Sequence, residues 1–269
     1  MQYQGGKSRV AKEISEVILT DMGGGYNLLR YQGGKSSIAK SISNEILLRA
    51  GGADTLISLF CGACSVESIL APHFKNVICN DNHKYLIALL KGVQNGYELP
   101  DAVSESQYKY VKDHKDEDEV LTGFVGFTCS FSGKFFGGYA RSHKTFRNFA
   151  KEGKTALLRD NECLKNVKFT CNDYRDVALP DGCIIYADPP YNGVKQYNNR
   201  KFNTDEFWEY AREVSKTHLM FISELSAPED FVSIWHKQIT RTLDRNKSNQ
   251  FKATENLYVH KCNLISNAR

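Results

Sequence analysis

From residue 55 onward the chain is punctuated by short apolar runs: Thr55 to Phe60 (TLISLF), Asn76 to Cys79, 167–171 (VKFTC), 183–187 (CIIYA) and 218–222 (HLMFI). Each is strand-length and reads as a buried strand, although over so few residues periodicity alone leaves a buried helix open. Helical spacing lies between them, over Ser65 to Ala71 up to Pro72, His83 to Gln94 and Thr204 to Lys216. Strands alternating with helices predict a mostly parallel α/β sheet. Near the end, Ile239 to Leu243 and Leu257 to Cys262 flank a polar segment and predict an antiparallel hairpin.

Two stretches break this alternation. At the start, Tyr3 to Ile18 (YQGGKSRVAKEISEVI) recurs as Tyr31 to Ile46 (YQGGKSSIAKSISNEI), an offset of 31 − 3 = 28. Two copies are too few for a solenoid, so residues 1–30 read as a duplicated N-terminal arm of which one copy at a time can fill a given site. The second break, residues 99–165, begins acidic, with Asp116-Glu117-Asp118-Glu119 on an expected solvated face. From Lys134 to Lys168 it turns basic, with nine Lys/Arg against three Asp/Glu and Phe135, Phe136, Tyr139, Phe146 and Phe149 interleaved. That composition suits phosphate contact with base stacking, and equally an ordinary basic surface over a satellite core.

Composition narrows the classes. The 269 residues are 41% hydrophobic and 25% charged, an ordinary globular balance. Lys plus Arg exceed Asp plus Glu by 35 − 31 = 4, a mildly basic chain. No stretch approaches the roughly 18 apolar residues of a membrane span. The start, Met1 to Lys7, has no apolar core for a secretory signal, and eight cysteines lie scattered, several inside apolar runs. Reduced thiols and a cytoplasmic location are expected.

The strongest chemical signal is Asp188-Pro189-Pro190-Tyr191, directly after the run ending at Ala187. The carboxyl end of a parallel strand is where α/β sheets bind ligands. Two prolines fix the backbone and remove two N–H donors, leaving carbonyl oxygens to face a ligand. A carboxylate beside such a carbonyl makes two acceptors, suited to an exocyclic amino group, and Tyr191 offers a flat stacking face. The plainer alternative is a rigid turn capped by Asp188. Gly34-Lys35-Ser36 lacks the Gly that a phosphate-binding loop needs at position 29, which is Leu29. Cys61-x-x-Cys64 has no second Cys/His pair nearby in sequence, so structural thiols are expected and no metal.

These motifs together resemble the Dam-like adenine-specific DNA methyltransferases. Tyr31-Gln32-Gly33-Gly34-Lys35 looks like the family's N-terminal cofactor motif, Phe60-Cys61-Gly62-Ala63-Cys64 resembles its Phe-x-Gly-x-Gly turn, and Asp188 to Tyr191 is similar to its catalytic motif. Asp81, and Asp173 within Cys171-Asn172-Asp173-Tyr174, match two further cofactor-contacting acids. Ser130 to Arg141 resembles a segment found before the catalytic strand in many members. Cys64 stands where the family usually has Gly, and Ser58-Leu59 replaces an acidic residue and a proline.

The resemblance implies a Rossmann-like methyltransferase sheet, mostly parallel with an antiparallel C-terminal hairpin, formed by residues 31–98 and 166–269. Residues 99–165 would be a small, mainly helical inserted region that recognises DNA. The implied activity is transfer of a methyl group from S-adenosylmethionine to adenine N6 in double-stranded DNA by base flipping, as in restriction-modification. Asp188, Pro189, Pro190 and Tyr191 would be catalytic. Tyr31, Gly33, Gly34, Lys35, Phe60, Cys61, Gly62, Ala63, Cys64, Asp81 and Asp173 would bind cofactor. Lys134, Arg141, Lys144 and Arg147 would contact the DNA backbone. The alternatives are an RNA adenine methyltransferase, or a DNA-binding protein with a degenerate cofactor pocket.

Overall fold

The structure, a computed structural model, describes residues 34–141, 147–190, 202–242 and 250–265. Seven strands form one sheet in the order β3-β2-β1-β4-β5-β7-β6. They are β1 (Thr55–Ser58), β2 (Asn76–Asn80), β3 (Lys168–Thr170), β4 (Ile184–Ala187), β5 (Leu219–Glu224), β6 (Phe231–Thr242) and β7 (Gln250–His260). The first five are parallel, and β7 inserts antiparallel between β5 and β6.

Neighbouring residues of the parallel strands are buried on opposite faces, which is why their sequences run apolar instead of alternating. Leu56, Cys79, Ile184, Tyr186 and Phe221 belong to one hydrophobic cluster, and Ile57, Ile185, Ala187, Met220 and Ile222 to a second. Helix α1 (Ala39–Arg49) packs on the first face through Ile38, Ala39, Ile42 and Ile46. The short α2 (Glu67–Leu70) follows β1 and continues as a 3-10 turn over Ala71–His73. Pro72 therefore sits at the start of a turn, where its missing N–H costs nothing, and not at the end of a helix. Helix α3 (Lys84–Gln94) begins at His83, whose Nδ1 accepts from the Leu86 N–H at 3.3 Å.

Residues 99–165 contribute three helices, α4 (Glu105–Asp113), α5 (Glu119–Thr128) and α6 (Phe149–Leu164). They share the core of the sheet: Phe124, Phe127, Leu157 and Leu164 join the same cluster as β1 and β4. Helix α5 lies so close to α3 that a Cβ on Gly123 would come within 2.1 Å of the Tyr85 carbonyl oxygen. The acidic run is more than a solvated face. Asp116 and Glu119 both take Lys84, Asp118 accepts from Tyr97, and Glu117 accepts from Tyr110. On the second face, α7 (Thr204–Ser215) is N-capped by Asn203 and packs through Phe207, Trp208 and Ala211.

The hairpin is far longer than its two apolar segments. Strand β6 pairs with β7 from Phe231↔His260 to Thr242↔Gln250, and Cys262 lies in the closing helix α8 (Lys261–Ile265) instead of the strand. Its polar positions, such as Lys237 opposite Glu255, hide the pattern from a search for apolar runs.

Candidate active site

The strand order reverses between β1 and β4, and the loops at their carboxyl ends flank a topological switch point, where open α/β sheets bind ligands. On the β1 side, the turn Phe60 to Cys64 is fastened to the sheet by Leu59 N–H to Tyr186 O (3.0 Å) and Cys61 N–H to Asn80 O (2.8 Å). Gly62 and Cys64 both adopt left-handed backbone, φ 49° and 56°. The Gly expected at the last position would take this conformation freely; Cys64 holds it at a steric cost of about 1–2 kcal/mol, with its side chain fully buried.

Asp81 follows β2 and faces this turn. Its Oδ2 accepts from Gly62 N–H at 3.1 Å and its Oδ1 from His83 N–H at 2.9 Å. Burial raises its carboxyl above the ordinary value, while these two backbone donors oppose the rise. Each oxygen keeps a lone pair, so the acid is suited to a ribose diol presented at the turn. Asn80, one residue earlier, is not evident from sequence as a site residue. Its Nδ2 donates to Leu59 O (3.1 Å) and Asn172 O (3.0 Å), and its Oδ1 accepts from Thr170 Oγ1 (2.9 Å) and Asn172 N–H (3.0 Å). One buried amide thus ties together the ends of β1, β2 and β3.

Asp173 caps the 3-10 turn Tyr174–Asp176 and is paired with Arg175, through Nε to Oδ1 (2.8 Å) and Nη2 to Oδ2 (3.0 Å). Phe60 is half-buried against Tyr174 (5.2 Å between centroids), Phe202 and Phe207, forming an aromatic wall beside the turn. Cys61 and Cys64 are buried beside Cys79, and all three are free thiols. Cys61 is pushed well above the usual thiol range, chiefly by burial, and burial takes Cys79 to about 12. Unreactive structural thiols follow.

The β4 side is built from charge. Asp188, 19% exposed, receives the Lys35 ammonium on Oδ1 at 2.7 Å. The same Nζ lies 3.2 Å from Oε1 of Glu255, a fully buried residue of β7. Lys35 is positioned by α1, whose first turn hangs from its carbonyl: Ile38 and Ala39 N–H both donate to Lys35 O at 2.8 Å. The structure therefore places the ammonium of the Gly-Gly-Lys motif against the carboxylate of the Asp-Pro-Pro motif. Nothing in the sequence near Glu255 marks it, because its partners come from the opposite end of the chain. Two further acids lie close. Glu67 of α2 accepts from Ser58 Oγ at 2.6 Å, and burial, more than its neighbour Asp188, pushes it up to about 7. Glu224, at the end of β5, is likewise raised to about 7 by burial, with Asp188 adding to the rise.

Of the remaining residues singled out, Tyr31, Gly33, Lys144 and Tyr191 lie outside the described residues. Gly34 is exposed just before Lys35, Ala63 is buried within the turn, and Pro189 and Pro190 continue from Asp188. In the basic segment, Phe135 packs on His83, Phe127 and Tyr85, while Phe136 and Tyr139 pack on Tyr108. These rings pack against the main hydrophobic core. The cations stay outside: Lys134 is exposed, Arg141 pairs with Glu105, and Arg147 with Glu152. Among the described residues no helix is long and apolar enough to cross a membrane, and no group of three or more His, Cys, Asp or Glu is arranged to hold a metal ion.

The model of a protein family described as D12 class N6 adenine-specific DNA methyltransferase matches residues 31–260. Among solved structures, the chain is similar to a protein of Pyrococcus horikoshii described as a candidate RNA methyltransferase. Identity is 13%, the TM-score is 0.43, and 96% of each chain is covered. It is also similar to a dimethyladenosine transferase from Plasmodium falciparum (10% identity, TM-score 0.37, 89% of this chain and 66% of that one). A tRNA (m1A58) methyltransferase from Aquifex aeolicus gives 11% identity and a TM-score of 0.35, with 82% and 67% covered. No curated protein sequence matches the chain.

Proposed function

This chain belongs to the D12 class of N6 adenine-specific DNA methyltransferases, and from that premise we propose how its own residues carry out the transfer. S-adenosylmethionine, when bound, supplies an electrophilic methyl carbon on a sulfonium. The turn Phe60 to Cys64 and Asp81 would hold it, and the donor set fits: an acid with free lone pairs faces a left-handed turn at the switch point.

The acceptor is an adenine amino group, which is unreachable inside the base stack, so the nucleotide is turned out of the duplex. Unstacking costs a few kcal/mol, and stacking on Tyr191 returns on the order of 1–3 kcal/mol. Asp188 and the Pro189 carbonyl hold the amino hydrogens and aim the nitrogen lone pair along the line of attack. The bound cofactor would supply the methyl carbon for the new carbon–nitrogen bond, the electron pair of its carbon–sulfur bond remaining on sulfur. The nitrogen gains positive charge and releases one proton to the Asp188 side. Fixed acceptors already in place stabilise that charge, and alignment supplies much of the rate. The observation that carries this reading is the Lys35-held carboxylate of Asp188 at the end of β4, across the switch point from the turn.

Residues 99–165 are the proposed DNA-recognition region, with Lys134, Arg141, Lys144 and Arg147 contacting phosphates. The exposed pairs of Arg141 and Arg147 are weak enough for phosphate to displace. Labelled-methyl transfer tests the whole reading: duplex DNA should accept the label on adenine and RNA should not. Binding should weaken steeply with salt, and replacing Lys134 by Ala should lower the salt slope by about one. Transfer confined to RNA, or a flat salt dependence, would refute it.

A further inference from the structure

We infer that Glu255, on the C-terminal hairpin, is a positioning residue for methyl transfer: it shares the Lys35 ammonium with Asp188 and so sets the orientation and residual charge of the carboxylate that receives the adenine amino group. The inference rests on the reading of Asp188 as that acceptor.

Three observations support it. Glu255 is fully buried, and a buried carboxylate is costly unless a cation meets it. Lys35, 5% exposed, meets it, with its nitrogen 3.2 Å from Glu255 Oε1 and 2.7 Å from Asp188 Oδ1. The three groups come from three separately anchored elements. Lys35 precedes α1, Asp188 ends β4, and Glu255 is fixed in register on β7 opposite Lys237. The Lys35 ammonium is thus divided between two carboxylates. Paired with Lys35 alone, Asp188 would be neutralised and drawn toward the lysine. With Glu255 taking part of the ammonium, Oδ1 of Asp188 stays fixed while the carboxylate keeps enough negative character to accept a further N–H. The hairpin thereby gains a role in the chemistry besides closing the sheet.

The test is a double-mutant cycle on the full chain with Glu255→Gln, Lys35→Met and the double variant. It reads kcat and KM for duplex DNA, cofactor affinity by calorimetry, and the thermal midpoint. Gln keeps the size and an oxygen acceptor but removes the charge. The expected result is a fall in kcat of about tenfold for Glu255→Gln, with KM and cofactor affinity within about threefold of wild type. The same change should cost less than about twofold when Lys35 is already Met, because the two act as a unit. Glu255→Asp, which keeps the charge, should recover part of kcat. Wild-type kcat in Glu255→Gln, or an equal loss in both backgrounds, overturns the inference. So does loss of cooperative melting in both Glu255→Gln and Glu255→Asp, which would assign the residue to the core alone. If Asp188→Ala retains turnover, the acceptor reading itself fails; if it is inactive while Glu255→Gln is normal, only the role of Glu255 fails.

Discussion

On the β1–β2 side of the crevice, Asp81 and Asn80 are held by uncharged partners, although Asp173 after β3 is paired with Arg175. Asp81 takes two backbone N–H groups, and Asn80 makes four hydrogen bonds to backbone and a threonine hydroxyl. On the β4–β7 side the same edge is held by charge, with Lys35 between Asp188 and Glu255 and Glu224 close by. The difference fits the chemistry proposed for each half. A cofactor-binding edge needs a fixed shape, which backbone donors supply. An edge that receives an amino group gathering positive charge needs negative groups in place before reaction, and these must be paired to stay buried.

That division can be broken by mutation. Lys35, which the family resemblance assigns to the cofactor, is proposed to serve the acceptor edge instead because its ammonium meets Asp188; Lys35→Met should then reduce methyl transfer by about 10²–10³-fold while cofactor affinity, measured by calorimetry, stays within about threefold. A comparable loss of cofactor affinity would move Lys35 to the other half. Lys7→Met, in the first copy of the repeat, should have no effect on either measurement, and a larger effect than at Lys35 would reverse the choice between copies.

Glu67 links the halves and gives a pH signature. Its folded value of about 7 lies above the ordinary 4.5, so between these pH values the unfolded chain has lost a proton that the native state keeps. Stability from this group is therefore full below about pH 4.5 and is lost as pH rises through about 7. Glu67→Gln should raise unfolding stability at pH 8 by up to about 3–4 kcal/mol, at ~1.4 kcal/mol per pH unit between the two values, and make little difference at pH 4.5. Denaturant midpoints at the two pH values check this; equal shifts at both would contradict it. Asn80→Ala should cost about 2 kcal/mol of stability by leaving buried backbone groups unpaired and should weaken cofactor binding more than kcat. The reverse split would place Asn80 with the acceptor half. Cys64→Gly is the mildest change. Relief of the left-handed strain and loss of buried thiol packing oppose each other, so the melting curve should shift by less than about 1 kcal/mol equivalent. A larger loss would show that the thiol, not the backbone shape, holds the turn.

How much was legible in sequence tracks how local the cause is. The parallel strands were readable because burial on both faces writes itself as an apolar run, as in Cys183 to Ala187. The hairpin was only half readable, since β6 carries Ser233, His236, Lys237 and Gln238 in place of an apolar signature. Asp188 announced itself through the prolines that follow it. Glu255 could not, because a lone acid in a polar strand acquires its meaning from Lys35 and Asp188 only when the chain folds. Ser58 was visible as a departure from the family pattern, but its partner Glu67, which returns a carboxylate to that spot from the next helix, was not. Phe135 and Phe136 were ambiguous in sequence, where rings between cations fit base stacking and a packed core equally; in the structure they pack inward on His83 and Tyr108.

The most direct measurement is a calorimetric titration of S-adenosylmethionine into Asp188→Ala protein, run beside labelled-methyl transfer to duplex DNA. The division of the edge predicts cofactor affinity within about threefold of wild type and no detectable transfer. Retained transfer, or cofactor binding lost along with it, would contradict the account.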